Sequence, residues 1–154
     1  MPVTLRPKRD DDDQFLYEVY ASTREEELAI TGWTPAQKDE FLRMQYLAQT
    51  RYYQQMYPDK DYWIILDNGV PAGRFIIARS KDEIRLIDIA VIPGHRGAGI
   101  GQVLLQSLLD EAQRTGKTVV LHVEQLNRAR HLYERLGFRP AEEVGAYTRM
   151  EWHP

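Results

Sequence analysis

The chain has 154 residues, no cysteine and a formal net charge of −3. A length of this order suits one domain with one sizeable core, here residues 1–154. Disulfides and thiolate metal sites are excluded, the mild acidity gives no general case for nucleic acid, and no stretch approaches the ~18 apolar residues of a membrane span. The start, Met-Pro-Val-Thr-Leu-Arg, has no apolar signal region, so a cytoplasmic protein away from membranes is expected.

In chain order, Val3 to Arg6 reads as a short strand. Asp10 to Asp13 is an acidic run that suits the start of a helix better than a metal, because carboxylates there complement the helix dipole. A helix is predicted over Asp13 to Ser22, followed by an acidic connection, Thr23-Arg-Glu-Glu-Glu27. Thr34-Pro35 marks a second helix start, with threonine as cap and proline in the first turn. That helix runs to about Met56 and is stopped by Pro58.

Tyr62 to Leu66 and Val70 to Ala78 are predicted strands joined by the hairpin turn Asp67-Asn68-Gly69. A second hairpin near Lys81-Asp82 leads into a strand over Glu83 to Ile92. Gly99 to Thr115 is a predicted amphipathic helix with Val103, Leu104, Leu105, Leu108, Leu109 and Ala112 turned inward. Gly116 ends it, and Thr118 to Val123 forms a buried strand. A short helix opens at Asn127, and two strands, about Phe138 to Val144 and Tyr147 to Trp152, close the chain.

Residues 89 to 101 carry the strongest functional signal: Ile-Ala-Val-Ile-Pro-Gly-His-Arg-Gly-Ala-Gly-Ile-Gly. A glycine-rich turn between a strand and a helix N-terminus is an anion site, since backbone N–H groups approach the anion without obstruction by Cβ atoms. Arg96 adds a guanidinium with fork geometry suited to phosphate oxygens. A dinucleotide fingerprint fails, because its third glycine would fall on Gln102 or Leu104. A P-loop ending in Gly116-Lys117-Thr118 fails too, because its first glycine would be Glu111.

Arg96-x-x-Gly99-x-Gly101 after a strand resembles the coenzyme A pyrophosphate loop of the GNAT superfamily of N-acetyltransferases. A second segment, Asn127-Arg-Ala129-Arg-His-Leu132-Tyr133-Glu-Arg-Leu136-Gly137-Phe138, is similar to another motif of the same family. The resemblance covers roughly residues 84 to 140. It implies an α/β (α+β) three-layer fold whose central mixed, mostly antiparallel sheet of about seven strands has helices on both faces. Two central strands would splay apart and admit the pantetheine arm.

The resemblance also implies site residues. Arg96, Gly97, Ala98, Gly99, Ile100 and Gly101 would hold the pyrophosphate, the backbone of Ile89, Ala90 and Val91 would pair with pantetheine, and Asn127 would contact coenzyme A. Arg130 either reaches a phosphate or is solvated. Tyr133 would be the acid near the thioester sulfur; its alternative is a core tyrosine on an apolar helix face. With no cysteine to carry an acyl intermediate, acetyl would pass directly from acetyl-CoA to the acceptor, with no metal.

The base is left open. Asp88 is a carboxylate in an apolar strand, either in the acceptor site or paired to Arg85 or Arg74. His122 and Glu124 share one face of the next strand and are alternatives, as is a water chain. Glu25, Glu26 and Glu27, with Trp33 nearby, border the acceptor cleft by the same resemblance and would favour a small cationic amine. Their bland alternative is an acidic surface loop that only aids solubility.

The expected activity is that of an acyltransferase moving acetyl, rather than an aminoacyl group, to a primary amine. The alternatives are a non-catalytic acyl-CoA sensor on the same fold and an acyltransferase for longer acyl groups. A homodimer is left open.

Overall fold

The computed structural model describes residues 2–154; Met1, the first residue of the expected domain, lies outside them. A seven-stranded sheet runs in the order β1-β2-β3-β4-β5-β7-β6. Its strands are β1 (Val3–Pro7), β2 (Asp61–Asp67), β3 (Val70–Arg79), β4 (Glu83–Val91), β5 (Thr118–Glu124), β6 (Arg139–Val144) and β7 (Tyr147–Trp152). All neighbours are antiparallel except β4 and β5. The β2–β3 turn places both Asn68 (φ 51°) and Gly69 (φ 82°) in the left-handed region, as a tight two-residue hairpin requires.

Helices cover both faces. On one face α4 (Ile100–Thr115) buries Leu104, Leu105, Leu108, Leu109 and Ala112 against Phe75, Ile77, Ile84, Leu86 and Leu121. The short α5 (Ala129–Arg135) joins the same core through Tyr133, whose ring meets Phe138 edge-on at 5.8 Å. Val103, expected inside, is 53% exposed. It sits one residue before Leu104 and so falls about 100° off the buried stripe.

The other face carries α1 (Asp13–Ser22) and α3 (Pro35–Met56). Thr34 caps α3: its hydroxyl accepts from the Gln37 N–H while the Gln37 side chain accepts from the Thr34 N–H. The acidic segment between these helices is not a plain connection. Glu25–Ala29 forms a short helix, α2, anchored by buried Leu28. Three glutamates in its first turn complement the helix dipole, which explains why an apparent charged loop is helical. The acidic run before α1 is structural as well. Asp12 is buried, accepts a bidentate pair from Arg6 at 2.8 and 2.9 Å, and accepts from the Arg9 N–H at 2.7 Å.

Two irregularities prepare the centre of the sheet. The first is a bulge in β4. Ile76 pairs with Asp88 and Ile77 with Leu86, which leaves Ile87 as the extra residue. The bulge changes the parity of the strand. Ile84 and Leu86 face α4, and so do Ile89 and Val91, while Asp88 moves to the face of α1 and α3. The second is a splay. β4 and β5 are paired only from Glu83↔Thr118 to Leu86↔Leu121, and beyond Leu86 the strands part.

Candidate active site

Past Leu86 the edge of β4 that faces β5 carries no strand partner. The Ile92 N–H donates to the Ala72 carbonyl at 2.8 Å, so by alternation Ala90 turns its backbone toward β3 and Ile89 and Val91 turn theirs into the gap. The Val91 carbonyl is already used: it accepts from Arg96 Nε at 2.7 Å. Arg96 Nη2 lies 3.4 Å from Ser22 Oγ, so the guanidinium spans the end of the gap.

The loop after β4 is built from backbone. Gly97 (φ 79°) and Gly99 (φ 81°) are left-handed, and a Cβ added at Gly97, Gly99 or Gly101 would meet nothing within 4 Å. The first helical N–H with a backbone acceptor is that of Val103, which bonds the Gly99 carbonyl at 3.0 Å. The N–H groups of residues 97 to 102, including Ala98 and Ile100, make no hydrogen bond among the described residues. Open space above free N–H groups at a helix N-terminus fits a pyrophosphate.

This loop forms one end of a cavity of about 490 Å³. Tyr133, Leu132 and Ala129 form its α5 side, and Ile89 and Val91 its β4 side. Burial, then the charge of Asp88, pushes the Tyr133 hydroxyl up to about 12. That hydroxyl makes no hydrogen bond among the described residues. Two further residues at this cavity carry signals that sequence reasoning missed. Arg135 lines it, whereas Arg130 turns away, donating to Glu134 at 3.0 Å and to buried Thr148 at 3.2 Å. His95 lines it too, held by Asp67 at the end of β2 at 2.7 Å.

A second cavity, also about 490 Å³, opens on the opposite face of the sheet. Ile89 lines both, so they meet where β4 and β5 part. The second cavity holds Asp88, Glu26, Glu27, Glu124 and Asn127 together with Arg24, Arg74 and Arg128. Arg74 is 3% exposed and donates from Nε to Asp88 Oδ2 at 2.6 Å, from Nη1 to Tyr62 Oη at 3.2 Å and from Nη2 to Gln49 Oε1 at 2.8 Å. Burial would push this guanidinium down, but Asp88, Tyr62 and Tyr53 hold it above its ordinary value. Of the two arginines open to Asp88 in the sequence reading, it is Arg74 that pairs; Arg85 instead reaches Glu83 and His122.

The remaining sequence candidates separate. Glu26 and Glu27 line the second cavity and Glu25 does not. Arg24, absent from the sequence reading, donates to Glu27 at 2.9 Å, lies 3.6 Å from Glu124 and stacks on Tyr20. Trp33 lies apart, edge-on to Phe41 at 5.1 Å. His122 shares the strand face of Glu124 but enters a different cavity, among Tyr52, Tyr57 and Tyr147. Burial, then Arg85 and Arg149, pushes its imidazole below the usual value. The Asn127 side chain accepts from the Ala129 N–H at 2.9 Å, which fixes the start of α5.

The model of the acetyltransferase (GNAT) family matches residues 16–138. The chain belongs to this family. Among proteins similar to it, [ribosomal protein bS18]-alanine N-acetyltransferase of Haemophilus influenzae is 34% identical over 79 residues, 51% of this chain and 54% of that one. L-amino acid N-acyltransferase MnaT of Escherichia coli is 42% identical over 79 residues, 47% of this chain and 46% of that one. The chain thus spans about half the length of the curated relatives it matches. PaiA N-acetyltransferase of Thermoplasma acidophilum, solved in complex with coenzyme A, superposes over 100% of both chains with a TM-score of 0.73 at 18% identity. The ribosomal-protein-S18-alanine N-acetyltransferase of Escherichia coli does so over 99% of this chain and 94% of that one, with a TM-score of 0.66 at 22% identity. At such identities these two likenesses establish the fold alone.

Proposed function

We propose that the protein transfers an acetyl group from acetyl-CoA to a primary amine. The observation that carries this reading is the pair of cavities on opposite faces of the sheet, one ending in the anion loop and the other holding Asp88, joined at Ile89 in the splay. Acetyl-CoA supplies the acyl group as a thioester. Residues 96 to 101 hold its pyrophosphate, and the unpaired edge at Ile89 and Val91 aligns its arm. Tyr133, with its hydroxyl raised to about 12, keeps a proton available at any working pH for the departing sulfur. Arg74 fixes Asp88 through Oδ2, which leaves Oδ1 to receive a substrate ammonium whose ordinary pKa is near 10.

We infer that the acceptor carries its amine beside a carboxylate or carbonyl, as an amino acid or a chain N-terminus does. The second cavity is lined by both carboxylates and guanidiniums, and Arg24 already engages Glu27 and lies beside Glu124. Of the acidic α2 residues, only Glu26 lines the cavity without an ion pair among the described residues, so a field for a purely cationic amine is weak. The names of the similar proteins, an amino-acid acyltransferase and an alanine N-acetyltransferase, agree with this acceptor class.

The test is release of free thiol from acetyl-CoA over a panel of amino acids, peptides with free N-termini, polyamines and aminoglycosides. Turnover confined to polyamines would overturn the acceptor class. Tight acetyl-CoA binding with no turnover on any amine would overturn the enzymatic reading in favour of a sensor.

A further inference from the structure

Behind the acceptor cavity lies another, of about 530 Å³, between the first turns of α1, the middle of α3 and the start of β2. A void of this size is in the range of ligand pockets, about 300–1,000 Å³. The rings of Tyr17, Tyr46, Tyr53 and Tyr62 line it. Its charges are lopsided. Lys8, Lys60, Arg43 and Arg74 face a single carboxylate, Asp13, which sits at the start of α1 where the helix dipole offsets it.

Arg43 is committed to Asp39 at 3.0 Å. Of the other three cations, Lys8 and Arg74 flank Tyr62, and Lys60 lines the same cavity just before β2. Lys8 donates its backbone N–H to the Tyr62 carbonyl at 2.9 Å and holds Nζ 5.8 Å from the ring centroid. Lys60, two residues before Tyr62, reaches only the Tyr57 carbonyl, at 3.5 Å. Neither lysine makes an ion pair among the described residues. Arg74, 3% exposed, closes the inner end, and each of its terminal nitrogens has a further N–H beyond the bonds to Tyr62 and Gln49.

We propose that this cavity is a second ligand site, for a small organic carboxylate with a flat apolar body. The carboxylate sits at the Tyr62 end among Lys8, Lys60 and Arg74, and the body lies against the tyrosine rings. Arg74 is the wall shared with the acceptor cavity, where it holds Asp88. An anion on its far side competes with Asp88 for the same guanidinium, so occupancy is felt by the acceptor. This coupling rests on the acceptor role given to Asp88; the binding does not.

Binding is tested on the full chain without acetyl-CoA or acceptor, by titrating naphthalene-2-carboxylate, with 2-naphthalenemethanol as the uncharged control. Saturable binding of the carboxylate and much weaker binding of the alcohol are expected. The double variant Lys8→Gln, Lys60→Gln should raise the carboxylate Kd about tenfold, the size of a lost charged partner. Leu47→Glu, at an exposed cavity wall, should do the same by adding a negative charge. Acetyl-CoA affinity should be unchanged in both variants. The proposal is overturned by absent or non-saturable binding, by equal binding of the alcohol, by displacement with acetyl-CoA, or by an unchanged Kd in both variants. In turnover assays, an acceptor KM unmoved by saturating carboxylate would overturn the coupling. Failure of the acetyl-transfer reading would leave the binding result intact.

Discussion

Helix α4 has 16 residues and buries Ile100, Leu104, Leu105, Leu108, Leu109 and Ala112, whereas α3 has 22 residues and buries only Leu42. The α4 face is a continuous apolar core that also takes in Tyr133, Phe138 and Met150. The opposite face is packed under α1, where Leu16, Val19, Ile64 and Ile76 are fully buried, but under α3 it has only a small cluster around Tyr17, Tyr20, Leu28 and Leu42, and cavities bordered by charged side chains. The face proposed to bind the donor thus presents backbone N–H groups and one tyrosine on a rigid, packed support. The face proposed to bind the acceptor presents charged side chains held by one another. Backbone placed by a core recognises a fixed group such as pyrophosphate; side chains around open cavities can differ between proteins that share the fold.

The contrast can be broken most strongly at Tyr133. Tyr133→Phe should lower kcat by about 10²–10⁴-fold, the range of a lost acid, with acetyl-CoA affinity and stability little changed. Wild-type turnover in steady-state assays would return Tyr133 to a purely structural role in the core.

Packing is tested by a matched pair. Leu105→Ala should cost about 2–5 kcal/mol in urea unfolding, as a buried leucine does, while Met44→Ala on exposed α3 should stay within about 0.5 kcal/mol. Equal costs would show that an exposed residue of α3 is held as firmly as a buried one of α4.

Gly99→Glu should leave a folded protein, destabilised by about 1–2 kcal/mol because φ 81° strains a side chain. Its carboxylate would stand where the pyrophosphate belongs, so acetyl-CoA affinity should fall by about 100-fold or more. Calorimetry that finds wild-type affinity would remove the loop from the donor site.

Alkaline titration sharpens the comparison further. Burial pushes Tyr17 and Tyr46 up to about 12, and raises Tyr53 and Tyr62, all on the α3 face; on the α4 face Tyr133 is pushed up to about 12. A tyrosine raised in the folded state binds its proton more tightly folded than unfolded. Its contribution to stability is complete below the unfolded value near 10 and is lost as pH rises toward 12. The α1–α3 face, with more such groups, should lose amide protection before α4 over that window. Simultaneous loss in hydrogen exchange would show that the faces unfold as one unit.

The smallest effect is expected on α2. Glu26→Gln should change acceptor KM by about two- to fivefold, an effect that shrinks at high salt, and Glu25→Gln should change it little. The same response at both positions would make α2 a general field and not a wall of the cavity.

Much of the fold was legible in the sequence where the signal is local. The spans of α1 and α3 follow from acidic and Thr-Pro starts, the β2–β3 hairpin from Asn-Gly, and the end of α4 from Gly116, which is left-handed at φ 69°. The glycine loop was legible for the same reason, since its conformation belongs to its own residues. The bulge at Ile87 was hidden by the apolar run, although a clue existed: polar Arg85 and Asp88 are three apart and cannot share a face of a regular strand.

Sequence alone thus determined most of the elements, though not α2, together with the glycine-rich turn after β4 and the kinship, because capping, turn chemistry and hydrophobic period are written over a few neighbouring residues. Tertiary structure decided which charges meet. Asp88 lies fourteen positions from Arg74 and Gln49 twenty-five; strand register with the β4 bulge brings in the first, and the packing of α3 on the sheet the second. Arg130 turns toward Thr148 and Glu134 for a similar reason. A long polar side chain takes the partner that packing leaves within reach, and that partner is set by contacts distant in the chain.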